Sequence, residues 1–407
     1  MLQSSIAWID FSDEQRRRMI EVVSLFRQRS TLDELGLGMV RDALADRFFP
    51  GTSTIQTRAR YFLFVPWLYR SYEERRFDAA KTERSLRRDE VTLISALQAS
   101  EDREGIIGAR AGASLQRFPS SIYWNGLAIW GIRRLSGSQE ASHRAFERRR
   151  LQQRLHPRTD DNEPVVGWGE EVWDPGLPQM PEGFPAEASF ALRPEEAQYL
   201  RERLILSCPE SLLTTLVDRC QPGVQAQFVW KHPQLALFPA HQQDWVKHAQ
   251  NLSETIYGAA LLYNLMLAEL RDWEERITQY QEALEAWRED LAAQDARLRR
   301  WDRGAFWALV DEERRTPVPT RRFIDSWLDL VLSSAIPDVR IDQHARTLVR
   351  TREMALKRGR SRFASPRHLE TWSGAAGAFQ LDFRWSIAQR ITDDILNALS
   401  GVKDAGA

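Results

Sequence analysis

Fifty residues, Leu252 to Trp301, constrain what this chain can fold into more than any other stretch. Stepping alternately by four and three from Leu252 lands on Ile256, Ala259, Tyr263, Met266, Leu270, Trp273, Ile277, Tyr280, Leu284, Trp287, Leu291, Gln294, Leu298 and Trp301. Gln294 alone interrupts the apolar series, and charged residues such as Glu274, Glu275, Arg276, Glu282, Glu285, Arg288 and Glu289 fill the gaps. A 3.5-residue repeat kept this long marks helix with one apolar seam. No proline lies between Pro239 and Pro317, and Gly258 is the only glycine within the repeat. Unbroken, the segment would be a rod of roughly 75 Å. Tyr263, Trp273, Tyr280, Trp287 and Trp301 are too large for a tight two-stranded seam, which favours Ile, Val and Leu. The spacing therefore predicts the central helix of its own domain, in a monomer rather than a coiled-coil dimer, broken or bent if anywhere near Gly258 or Trp273.

Other apolar stripes predict helices over 8–29, 31–47, 82–99, 121–134, 138–155, 194–207, 209–219, 303–315, 320–334, 338–358 and from 386 to about 399. Ser12 with Gln15 and Thr31 with Glu34 resemble capping boxes, and Pro194 stands at a first-turn position. Pro66 predicts a kink or a helix restart. Seven prolines fall within residues 157–194, beside Trp168 and Trp173. Prolines exclude interior helix, and tryptophans resist free solvation, so this stretch reads as an ordered strap. Period-2 strands are scarce. The expected fold is mainly α: two helical bundles joined by a Pro/Trp-rich strap. The expected segments are an N-terminal helical domain over 1–157, the strap over 158–193, and a C-terminal helical domain over 194–407 built on the helix 241–300.

Charge is divided along the chain. Residues 1–160 hold 27 Lys and Arg against 20 Asp and Glu, residues 161–313 hold 13 against 27, and residues 314–407 hold 16 against 10. Basic ends around an acidic middle face nucleic acid, or dock on the middle of their own chain or on a neighbour. The two cysteines, Cys208 and Cys220, are too few for a disulfide scaffold. The opening residues have no apolar core of a signal peptide, and the longest apolar run is too short to span a bilayer. A soluble, cytoplasmic protein without a membrane partner is expected.

No Walker A, dinucleotide fingerprint, HExxH or GxSxG sequence is present. His241, Asp244 and His248 share a helical face but lack the remaining ligands of a zinc site. Asp338 after Pro337 resembles the start of a metal-dependent nuclease core, yet Glu353 and Lys357 are four apart where such a core has Glu-x-Lys. Neither a metal nor a cofactor is expected. Two stretches suit phosphate contact instead. In 52–75, Arg58, Arg60 and Arg70 interleave with Tyr61, Phe62, Phe64, Trp67 and Tyr69. Arginine grips phosphate bidentately and rings stack on bases, although Phe62, Val65 and Tyr69 also form an ordinary core stripe. In 340–367, Arg346, Arg350 and Lys357 share a helical face, followed by Arg358, Arg360, Arg362 and Arg367.

The stretches WIDFS (8–12), FPGTSTIQTRARYFLFVPW (49–67) and WSGAAGAFQLDFRW (372–385) resemble the signatures of an uncharacterised bacterial family, a domain of unknown function. The resemblance runs from Trp8 to about Leu399 and implies a place in anti-phage defence neighbourhoods, beside helicases and other DNA-processing proteins. No catalytic residue comes with it. The expectation is a non-enzymatic subunit that binds DNA or a DNA-processing partner through Arg58, Arg60, Arg70, Arg346, Arg350, Arg358, Arg360 and Arg362. An enzyme of unfamiliar active site, a nuclease or toxin effector using Ser53, Thr54, Gln56, Asp382 and Arg384, is the alternative, and a purely structural adaptor is the third.

Overall fold

A computed structural model of the chain describes residues 33–74, 79–144, 172–333 and 336–401. The expected helix over 8–29, the WIDFS signature, Trp168 and most of the arginine-rich 144–154 lie outside them. The fold is mainly α-helical. In chain order the helices are α1 (Gly38–Phe48), α2 (Tyr61–Glu74), α3 (Ala79–Ala99), α4 (Pro119–Ile129), α5 (Pro194–Ser207), α6 (Leu212–Arg219), α7 (Ala240–Leu270), α8 (Glu274–Ala293), α9 (Asp295–Arg299), α10 (Arg303–Glu313), α11 (Val318–Val331), α12 (Gln343–Lys357), α13 (Pro366–Glu370) and α14 (Trp385–Ser400). Among the described residues the only pairing of extended backbone is one antiparallel bridge, Arg133 with Trp173. No helix among them is long and apolar enough to cross a membrane.

The chain forms two compact units that do not follow chain order. Unit 1 comprises residues 1–42 and 248–381; unit 2 comprises 43–247 and 382–407. One division falls inside α7 and another inside α1. The described part of the expected strap, residues 172–193, falls within unit 2.

In unit 1 the heptad segment is a hairpin rather than one rod. α7 stops at a Schellman turn in which Asp272 takes a φ of 49°. There the Asp272 N–H donates to the Glu269 carbonyl at 3.1 Å, and the Trp273 N–H to the Ala268 carbonyl at 3.0 Å. α8 then returns along α7. Trp287 lies on Gly258, where an added Cβ would stand 2.3 Å from the indole. The Trp287 indole N–H donates to the Glu254 carbonyl at 2.8 Å, and that of Trp301 to His248 Nδ1 at 2.9 Å. The break thus falls beside Trp273, while Gly258 is the notch that admits a tryptophan. The glycine-rich signature is fastened to this hairpin by Asn264. Its amide donates to the Ala376 carbonyl at 2.8 Å and accepts from the Ala376 N–H at 2.7 Å. Tyr280 adds a bond to the Gly374 carbonyl at 2.7 Å.

Unit 2 is built on the other signature. Phe48, Phe49, Tyr61, Phe62, Phe64, Trp67 and Tyr69 are all buried. Phe62 stacks on Trp130 with centroids 3.7 Å apart, and Phe383 packs edge-on against Phe48. α2 runs through Pro66, so the expected restart does not occur. The described part of the strap packs on this core: Trp173 meets Tyr69, and Pro178 accepts from the Trp67 indole at 2.8 Å. Helix ends follow local chemistry in most places. Pro194 opens α5, whose Glu196 accepts from the Arg193 N–H at 3.0 Å. At α1 Asp33 accepts from the N–H groups of Leu37 and Gly38 at 2.7 and 2.6 Å, while Thr31 of the expected Thr31–Glu34 box lies outside the described residues.

Candidate functional site

The eight arginines singled out from the sequence separate into three environments. Arg58 and Arg60 sit inside unit 2. Arg58 is 6% exposed, and its Nε donates to both Asp394 oxygens at 3.0 Å. Its Nη1 reaches the Asp102 carboxylate and, at 3.1 Å, the Glu104 carbonyl. The Ala59 N–H donates to the same Asp394 at 2.8 Å, and the Phe190 ring lies 4.5 Å from the guanidinium. Burial pushes the Asp394 carboxyl above its ordinary pKa, and Arg58 with the Ala59 N–H pulls the other way. Tyr123 fixes the local backbone, its hydroxyl accepting from the N–H groups of Thr57 and Arg58 at 2.9 and 3.1 Å. Arg60 donates to Glu196 and to the Ser189 carbonyl, each at 2.9 Å. Guanidiniums committed in this way do not reach a polymer's phosphates, so Arg58 and Arg60 leave the candidate set. The aromatic rings around them fill the core.

Arg346 and Arg362 belong to unit 1 and are half-buried in ion pairs. Arg346 meets Glu269 on α7 and donates to the Arg340 carbonyl at 2.6 Å. Arg340 pairs with Glu285 of α8 at 2.5 Å and with Asp338 at 2.7 Å. Here the basic end docks on the acidic hairpin of its own chain. Arg362 donates to Glu34 at 2.6 Å and to the Tyr263 hydroxyl at 2.9 Å. Lys357 joins the same Glu34 oxygen, and the Glu353 carboxylate accepts from Ser361 Oγ and, at 2.9 Å, from the Arg362 N–H. Two carboxylates and two cations thus close around Tyr263, whose hydroxyl burial pushes well above its ordinary pKa. Glu353 and Lys357 are 3.4 Å apart in this cluster, whereas Asp338 is held by Arg340. The nuclease resemblance of these three residues therefore has no shared site behind it.

Arg350, Arg358 and Arg360 are exposed, as is Arg367. None of the four forms an ion pair with another described residue. Arg350, Met354 and Arg358 are spaced by four, one stripe along α12 and its end. The Arg350 guanidinium lies 5.5 Å from the Phe363 ring. Arg358 caps α12 with φ 50° and ψ −122°, a conformation that favours glycine. A side chain held there costs on the order of 1–3 kcal/mol. Arg70, on α2 of unit 2, is half-buried without an ion pair among the described residues and stands apart in sequence from this basic turn.

The polar residues of the two signatures are engaged in local structure. Gln56 donates to the Gly51 carbonyl at 3.0 Å and accepts from the Ser53 N–H at 3.2 Å. Asp382 accepts from the Arg384 N–H at 3.1 Å. Arg384 donates to Asp46 at 2.6 Å and to the Thr52 carbonyl at 2.9 Å, joining the end of one signature to the start of the other within unit 2. For Thr54 the structure shows no comparable bond. Among the described residues no group of three His, Cys, Asp or Glu side chains stands close enough to hold a metal. His241 faces Glu210 at 3.5 Å, and Asp244 pairs with Lys247 at 2.9 Å. Cys208 and Cys220 are buried free thiols, pushed by burial to about 11.

What sequence reasoning missed is the set of carboxylates that claim the arginines. Asp394, Asp102, Glu196 and Glu34 carry no local mark, because each lies tens to hundreds of residues from its partner. No curated protein and no solved structure matches the chain. A family model does match residues 3–399, and the chain accordingly belongs to a family of unknown function, DUF6361.

Proposed function

We propose that this protein is a binding subunit that grips nucleic-acid phosphates through the basic turn at the end of α12, with Arg350, Arg358 and Arg360 as contacts and Arg367 beside them. Its setting would be bacterial anti-phage defence, next to a DNA-processing protein such as a helicase; that part rests on the family resemblance alone. One observation carries the phosphate reading. An unpaired, exposed arginine occupies a backbone conformation suited to glycine at position 358, while the inward-facing cations of the same segment are neutralised. Strain kept at an exposed cation points to use rather than to packing.

The test is fluorescence anisotropy with duplex and single-stranded DNA across a salt series. Affinity is expected to fall as salt rises, and R350A/R358A/R360A to reduce the duplex salt slope by about 3, close to one for each phosphate no longer neutralised. No binding at low salt, binding indifferent to salt, or a triple variant that binds as the wild type would overturn the reading. An acidic protein partner is the second reading, favoured by Met354 and Leu356, 41% and 40% exposed on the same helix. Co-purification of such a partner, lost in M354S/L356S and kept after nuclease treatment, would replace DNA as the ligand.

A further inference from the structure

We infer that Glu34 is a positioning residue for the basic turn of unit 1: it clamps both flanks of the turn and so sets Arg358 and Arg360 toward solvent. The clamp rests on the phosphate reading only for the ligand that the turn meets. Glu34 is 8% exposed and stands 323 positions before Lys357. Its Oε2 accepts from Lys357 Nζ, from Arg362 Nη1 at 2.6 Å and from the Tyr263 hydroxyl at 3.2 Å. Lys357 and Arg362 are the two residues that bracket 358–361. One buried carboxylate therefore ties the entry of the turn to its exit.

The backbone between those anchors is closed on itself. Ser361 is fully buried, and its Oγ donates to Glu353 while accepting from the N–H groups of Phe363 and Ala364 at 3.2 and 3.3 Å. The Ser361 N–H donates to the Arg358 carbonyl at 3.0 Å, which makes 358–360 one tight turn. Glu34 is held in its own place as well. Arg352 Nε donates to the Leu35 carbonyl at 2.8 Å. A Cβ at Gly36, φ 70°, would stand 2.4 Å from Arg352 Nη2, so the backbone beside Glu34 lies directly against α12. Gly377 of the glycine-rich signature packs here too, where a Cβ would stand 3.5 Å from Glu34 Cγ.

Within the cluster the carboxylates of Glu34 and Glu353 balance Lys357 and Arg362, whereas Arg358 and Arg360 are exposed. Cations on a fixed backbone lose less freedom when they bind than cations on a loose one, and so bind more tightly. Positioning and simple charge then make opposite predictions. Glu34→Gln removes one negative charge, which by attraction alone tightens the hold on a polyanion. Loosening the turn weakens it.

Amide hydrogen exchange of the full chain, beside fluorescence anisotropy with duplex DNA, tests the clamp. In E34Q the amides of 358–363 are expected to exchange on the order of 10-fold faster, while those of α8 keep the wild-type rate. DNA affinity is expected to fall roughly 5-fold or more despite the lost negative charge. In an R358A/R360A background the same substitution is expected not to weaken binding, since the cations it positions are gone. Y263F keeps the ring and removes the hydroxyl shared by Glu34, Lys357 and Arg362. It is expected to act in the same direction with a smaller effect, and it decides the matter where E34Q does not fold. The clamp is overturned if exchange over 358–363 is unchanged in the folded variant, or rises equally in α8. It is also overturned if that variant binds DNA as well as the wild type, or if E34Q weakens the R358A/R360A protein just as much. Wild-type protein that binds no DNA at low salt overturns the phosphate reading instead, and exchange then decides the clamp alone.

Discussion

Around Arg58 the guanidiniums of the chain turn toward carboxylates; around Arg358 several of them turn toward water. Both stretches are arginine-rich, and from composition alone both suit phosphate contact. They differ in what surrounds the arginines. Arg58 and Arg60 precede Tyr61, Phe62, Phe64 and Trp67, and burying those rings carries the cations inward with them. A buried cation requires a paired anion, so Asp394, Asp102 and Glu196 are part of the same packing solution. Residues 346–367 have one aromatic side chain, Phe363, and their outer arginines stay solvated. Interleaved aromatics therefore mark core more strongly than they mark a nucleic-acid surface.

The largest test of this contrast is Arg58→Met, which leaves Asp394 buried without its cation. Urea denaturation is expected to show a loss of about 3–5 kcal/mol, with Asp394→Leu in the same chain restoring much of it. If the single variant were as stable as the wild type, the buried pair would not be what separates the two stretches. Next is Glu353→Ala, in the inward half of the second stretch. It removes the acceptor of the Arg362 N–H and Ser361 Oγ, and a loss of about 2–4 kcal/mol is expected by the same measurement. A loss below about 0.5 kcal/mol, on the order seen for surface positions, would make that whole stretch an exposed one.

A smaller effect depends on pH. Glu90 is fully buried beside α4 and accepts from the Ser120 N–H at 2.7 Å, and burial raises its carboxyl to about 7. A carboxyl whose folded pKa is raised contributes stability below its unfolded value, and that contribution is lost as pH rises through about 7. Between about pH 5 and about pH 8 the wild type is expected to lose about 2 kcal/mol relative to Glu90→Gln, which keeps the acceptor and cannot ionise. Parallel pH profiles for the two proteins would show that charge inside unit 2 is not under this strain. The smallest effect is Arg358→Gly. It is expected to raise stability by about 1 kcal/mol in thermal melts by relieving the backbone, while weakening DNA binding. A destabilised glycine variant would mean that position 358 serves packing.

Much of the architecture is legible in residue patterns. Pro194 opens its helix at the first turn, and the break in 252–301 falls beside Trp273, one of the two places the spacing allowed. The hairpin is harder to read. A 3.5-residue repeat continues unbroken through Asp272, because two antiparallel halves that face each other display the same stripe as one rod. Asp272 takes the left-handed turn that glycine usually fills, so no glycine announces it. The arginine pairs are not legible for a different reason. Arg58 meets Asp394 across 336 positions, and nothing in the local sequence of either residue names the other. The basic residues at 340–346 are intermediate: their docking on Glu285 and Glu269 follows from the charge division, though the division alone also allowed an external partner.

The interleaving of the two units has a consequence for the order in which the protein is made. Glu34 leaves the ribosome early, but its partner Lys357 follows 323 positions later. Unit 2 begins at residue 43, yet the carboxylate that balances Arg58 is carried by the helix Trp385–Ser400. The Glu34 set of unit 1 waits for Lys357 and Arg362, and Arg58 of unit 2 waits longer still, for Asp394. Long-range closure of this kind slows folding and prolongs the exposure of unpaired core. Removing the helix Trp385–Ser400 should therefore strip Arg58 of Asp394 and damage unit 2, while leaving the Glu34–Lys357 pair of unit 1 in place.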